Sequence, residues 1–243
     1  MGDADEIDAL RARCLPEYDS AVCRDMLKMD LPRTFPREPW FQDHMSTLTA
    51  ILSAYASTNP GMGYAQGMAF PVFVLYRTYY VDDPKHARVD TYYSFHRLIH
   101  VVRPMYPLNS DDSRPTTFTK HINALLPLLV SLVDAPFACR LKRFPIILYA
   151  FALQSLPTLF TNKFHLYDSP TVFDFIVNVS PVRMFQRALC TLASIIVLFK
   201  PIFMYMEYEK ILEIINIRAY YDVDRIVRIA QLLDRQVDIS VYF

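Results

Sequence analysis

Glycine is the scarcest informative residue in this chain. There are four glycines in 243 residues, and three of them, Gly61, Gly63 and Gly67, fall within seven positions. Such a chain has few places to take positive φ or to bring two backbones close together. The dipeptides Asn-Gly and Asp-Gly are absent, which disfavours tight β-hairpins. A helical fold remains, with unusual backbone demands confined to one loop.

Apolar periodicity supports that reading. Met45, Leu48, Leu52 and Tyr55 share one helical face, as do Tyr92, Phe95, Ile99 and Val102, and Ile122, Leu125, Leu126, Leu129 and Val133. Further helices are expected at about 141–155, 169–179, 182–199, 203–216 and 223–236. Seventeen prolines punctuate the chain. Pro39, Pro60, Pro104, Pro136, Pro170, Pro181 and Pro201 lie near the expected helix ends, where proline is tolerated. The segment 102–115 carries three prolines and Asn109-Ser-Asp-Asp-Ser113 and reads as a surface excursion. The expected fold class is all-α, with many medium helices in one packed array.

Composition narrows the function classes. Apolar residues reach 53%, enough for a large core. Lys plus Arg equals Asp plus Glu at 25 each, which argues against a general nucleic-acid binder. Cys14, Cys23, Cys139 and Cys190 show no CxxC spacing and no histidine at ligand spacing, so reduced thiols in a cytoplasmic protein are expected rather than zinc or disulfides. The acidic start is not a signal peptide, and Glu6 stands where a myristoylation motif needs Ser or Thr. The apolar runs 144–160 and 188–199 fall short of a membrane span and read as core helices.

Two segments could carry chemistry. The first is Leu27-Lys-Met-Asp30-Leu-Pro32-Arg33-Thr-Phe35-Pro36. Pro32 and Pro36 bracket Arg33, and an extended, rigid segment is expected there. A guanidinium so held presents a planar fork of donors suited to phosphate. Asp30 could orient it. On this segment alone, a local Asp30–Arg33 pair at a helix end is the more economical reading, because Asp-x-x-Arg is common.

The second segment is Asn59-Pro-Gly-Met-Gly63-Tyr64-Ala-Gln66-Gly67-Met68. Glycines on both sides of Tyr-x-Gln permit close backbone approach. Gln66 is a poor general base, but it can orient a water through its donor and acceptor. The plainer alternative is a helix C-cap at Gly61 or Gly63 followed by a new helix.

Together the segments say more than either alone. GTP hydrolysis needs an arginine that stabilises transition-state charge and a glutamine that positions the attacking water. The chain has no G-x-x-x-x-G-K-[ST] loop to bind the nucleotide itself. It could supply the pair only in trans.

The first segment resembles the I-x-x-D-x-x-R motif of the TBC-domain Rab GTPase-activating proteins, with Leu27 in place of Ile. The second resembles that family's Y-x-Q motif. The resemblance implies an all-α multi-helix TBC domain over 20–243, with 1–19 an extension or a divergent first helix. It implies Arg33 as arginine finger and Gln66 as glutamine finger, with Asp30, Tyr64, Gly63 and Gly67 supporting them. The implied partner is a GTP-bound Rab-type GTPase, which itself carries the GTP and Mg²⁺. The chain would then be an activator without a cofactor of its own, acting in vesicle trafficking. It would be cytoplasmic, with at most peripheral association with endomembranes. Thr91-Tyr-Tyr-Ser-Phe95, Asp134-Ala-Pro-Phe137, and Leu159-Phe160 with Val172-Phe-Asp174 resemble later family blocks, extending the similarity over roughly 20–216. The family's opening G-x-P helix is not recognisable in 1–20, and Trp40 is the sole tryptophan.

Other candidates read as structural. His96 and His100 are expected on a helix surface, Asp111-Asp112 in a solvated loop, and Met204-Tyr-Met-Glu-Tyr208 in the core with a polar edge. Arg140, Lys142 and Arg143 are expected at a solvated helix end. The alternative to an activator is a catalytically silent helical module that binds a GTPase or a tethering partner.

Overall fold

The computed structural model describes residues 15–16, 19, 21, 23–106, 117–216 and 221–237. The expectations for the first helix, for Asp111-Asp112 and for most of the 102–115 excursion lie outside these residues. Among the described residues there are thirteen α-helices and no strand, so the all-α class is what the structure shows. The chain divides into two compact units, Met1–Arg103 and Pro104–Phe243.

The first unit contains α1 (Arg24–Thr34), α2 (Pro39–Asp43), α3 (Met45–Thr58), α4 (Ala69–Asp82) and α5 (Ala87–Val102). α3 packs against the other four. Its Leu48, Ile51, Leu52 and Tyr55 are buried, as are Tyr92, Phe95, Ile99 and Val102 of α5. Each such side chain contributes roughly 1.5–3 kcal/mol of burial. Polar contacts fix the register. Thr58 and Tyr92 hydroxyls meet at 3.0 Å, and Tyr79 and Ser94 hydroxyls at 2.7 Å. Trp40 stacks on His44 and packs against Phe73 and Tyr80, which seats the short α2 on α4.

The second unit contains α6 (Thr117–Ser131), α7 (Ala135–Leu141), α8 (Pro145–Ser155), α9 (Ser169–Val177), α10 (Pro181–Leu198), α11 (Lys200–Tyr205), α12 (Tyr208–Asn216) and α13 (Val223–Gln236). Prolines occupy the first turns of α7 through α11, where a missing N–H costs nothing. α10 packs on α6, α9, α11 and α13. By length and composition α10 could cross a membrane, but 61% of it is buried inside the protein. Buried Asp234 of α13 receives Arg183 at 2.9 Å, Arg187 at 3.2 Å and Gln186 at 2.7 Å, all from α10.

Several expectations are corrected. The helix expected at 141–155 starts only at Pro145, because Phe144 precedes that proline and leaves the helical region at φ −122°, ψ 42°, and Leu141 instead ends the separate α7. The helix expected at 203–216 is two, broken where Met206 is extended. As a result Tyr205 is 86% exposed rather than part of the core. Val133 falls beyond the end of α6 and is exposed. Arg140 is not a solvated helix end: its guanidinium donates to the carbonyls of Phe203 and Met204 at the close of α11.

After α8 the chain makes an uncommon turn. Leu159 (φ 48°) and Phe160 (φ 64°) both lie in the left-handed region with their side chains fully buried. The N–H of Phe160 donates to the carbonyl of Ser155 at 2.8 Å. Buried Lys163 then donates to the Gln154 side chain and to the carbonyl of Ile215 in α12.

Candidate functional site

Arg33 lies in the last turn of α1, not on an extended segment. Pro32 is inside the helix, where it removes one hydrogen bond close to an end that is already losing them. The helix stops at Phe35 (φ −136°, ψ 70°), because Pro36 pushes the preceding residue out of the helical region. Buried Phe35 packs on Phe41, Phe70 and Phe73, with ring centroids 4.7–5.7 Å away. Leu27, Leu31 and Thr34 form the buried stripe of α1. Arg33 is therefore clamped from both sides of its own helix turn while its side chain stays exposed. A cation in the last turn also complements the partial negative charge of the helix C-terminus.

Gln66 belongs to the loop between α3 and α4. Asn59 opens the loop: its carbonyl accepts from the N–H groups of Met62 and Gly63, and its amide donates to the carbonyl of Tyr55. Gly63 sits at φ 61°. Ala65–Met68 then form a β-turn closed at 3.1 Å. Gly67 stands third in that turn at φ 94°, the positive sign a type II turn requires. Gln66 occupies the second position and is exposed.

Asp30 joins the two segments. One carboxylate oxygen accepts from the Tyr64 hydroxyl and from the Gly67 N–H, the latter at 3.1 Å. Tyr64 is 5% exposed. Gln66 thus stands between two residues that are both tied to the helix carrying Arg33. The Asp30 carboxylate holds the glutamine loop, whereas the spacing had suggested a pair with Arg33. Met26, Met29, Asp30, Arg33, Tyr64 and Gln66 line one cleft. The two methionines were not singled out from the sequence, although their positions seven and four residues before Arg33 put them on the same helix face.

Residues 16–202 match the Rab-GTPase-TBC domain family. The chain belongs to that family. The matched stretch contains both motif segments, Leu27–Pro36 and Asn59–Met68. TBC1 domain family member 13 of mouse and of human is 30% identical over 135 residues, which cover 54% of this chain. That segment spans 33% of the length of each relative. The solved Ypt/Rab-GAP domain of Gyp1p superposes with a TM-score of 0.69, covering 96% of this chain and 80% of that one at 15% identity. This likeness establishes the TBC fold.

Later family blocks find structural places in this TBC chain. Asp134 caps α7 by accepting from the Phe137 N–H at 3.0 Å and pairs with Lys200 of α11. Leu159 and Phe160, at the block that lacks tryptophan, fill the core of the second unit. Among the described residues no group of three or more His, Cys, Asp or Glu side chains could hold a metal. His96 lies half-buried against Tyr55 and Tyr92, beside exposed His100.

Proposed function

We propose that this TBC domain accelerates GTP hydrolysis by a Rab-type small GTPase, inserting Arg33 and Gln66 beside the partner's nucleotide. Arg33 stabilises charge developing on the transferred phosphoryl oxygens, and Gln66 orients the attacking water. The partner contributes GTP and Mg²⁺. The single observation that carries this reading is the Asp30 bridge: both side chains are exposed on one cleft, and their supports are hydrogen-bonded to each other. The reading includes action in vesicle trafficking from the cytoplasm, with at most peripheral recruitment to endomembranes.

The test is phosphate release from a panel of GTP-loaded Rabs with wild type, Arg33→Ala and Gln66→Ala. Acceleration of one or a few Rabs by wild type is expected. The Arg33 variant should lose roughly 10³–10⁵ in rate, and the Gln66 variant should also be inactive. Binding to GTP-loaded Rabs without acceleration by folded wild type would select the silent-module reading instead.

A further inference from the structure

The outer face of α1 is not uniformly polar. Leu27, Leu31 and Thr34 account for its buried stripe, yet Met26 is 44% and Met29 57% exposed. Both line the cleft that holds Arg33 and Gln66. At a rise of 1.5 Å per residue, Met29 lies about 6 Å and Met26 about 10 Å behind Arg33 along the helix axis. Of the exposed charged residues of this helix, Arg33 shares their face and Asp25 borders Met29, while Arg24 and Lys28 lie on the far side of the helix from Met26. An exposed apolar pair bordered by charged residues is the composition of a protein-docking patch.

We infer that Met26 and Met29 form the seat on which the partner GTPase rests, and that they set affinity while Arg33 and Gln66 set rate. This inference rests on the activator reading. If Arg33 reaches a nucleotide phosphate, whatever flanks that nucleotide on the partner must lie over the preceding two turns of α1. The occupant is then the surface bordering the nucleotide of a GTP-loaded GTPase, apolar where it meets the two methionines. The flexible thioether side chains can repack against partners of slightly different shape. The seat therefore tolerates several related GTPases rather than selecting one.

The experiment is a set of activation curves against GTPase concentration, with equilibrium binding to the same GTPases loaded with a non-hydrolysable GTP analogue. The double variant Met26→Glu/Met29→Glu should raise both the half-saturating concentration and the Kd by about tenfold or more. Met26→Ser/Met29→Ser, which adds no charge, should shift them in the same direction by less. Met26→Leu/Met29→Leu should stay near wild type on its best substrate but narrow the range of GTPases accepted. Unchanged half-saturation and Kd in the Glu variant, with wild type active, would overturn the seat and leave the activator reading standing. Binding that the Glu variant loses, without acceleration by wild type, would remove the activator reading and keep the seat. No binding of wild type to any GTPase would remove both.

Discussion

The carboxylate of Asp30 in α1 accepts a hydrogen bond from the Gly67 backbone N–H, 37 residues further along the chain. The Tyr64 hydroxyl donates to the same oxygen. Helix and loop are therefore held together at Tyr64 and Gly67, on either side of Gln66, so the placement of Gln66 depends on the helix that carries Arg33. An arginine finger alone could work from a loosely attached helix. Under the proposed activation both side chains meet one nucleotide, and such a pair needs a fixed separation.

Asp30→Ala should lower stability by about 1–3 kcal/mol, since it leaves two donors in a partly buried place without their acceptor. Activation should fall although Arg33 and Gln66 are both present. Tyr64→Phe, which removes only one of the two bonds, should cost less on both counts. Urea unfolding midpoints and activation rates measured on the same preparations check this.

The Gly63 position separates backbone strain from crowding. A Cβ there meets nothing within 4 Å, but φ is +61°. Gly63→Ala should cost about 1–2 kcal/mol from backbone conformation alone. Gly63→Asn should cost less, because asparagine visits that region more readily. Gly61→Ala, in open space without a positive φ, should be close to neutral. Thermal unfolding of the three variants gives the order.

His96 gives a pH signature. Burial first, and the charge on His100 second, hold its imidazole below the ordinary value of 6.5. The folded protein then binds fewer protons than the unfolded chain just below that pH, so stability falls as pH drops beneath about 6.5. His96→Gln should flatten this part of the stability curve, and His100→Gln should flatten it less. Unfolding midpoints between pH 5 and pH 8 would reveal the difference.

Asp234 ties α13 to α10 through two arginines and a glutamine. Asp234→Ala should destabilise the second unit by about 1.5–3 kcal/mol, a range kept modest because Arg183 remains 44% exposed. Hydrogen exchange should quicken first in α13. Wild-type exchange rates there would show that the network contributes little.

Much of the fold was legible because the relevant signals are local. The start of α10 follows from Pro181, and α13 spans 223–236 as its periodicity implies. Boundaries failed where a single residue leaves the helical region, as at Phe144 and Met206, because periodicity runs straight through such breaks. Arg33 was expected on an extended segment because Pro32 was weighed as a helix breaker. In the final turn it removes little. The two motif segments were readable as residue types, but the Asp30–Gly67 contact was not, since no spacing rule links positions 37 apart. Exposure of Met26 and Met29 was equally hidden. A methionine near apolar neighbours reads as core until the buried stripe of its helix is known.

The left-handed pair Leu159–Phe160 bears on how this chain can change over time. Positive φ at two successive positions invites glycine, yet both side chains fill the interior. Relieving the backbone would empty the core, and keeping the core retains the strain. Neither position can be improved by itself, so drift at this turn must proceed through paired replacements, in which a neighbour grows into the space before the backbone relaxes.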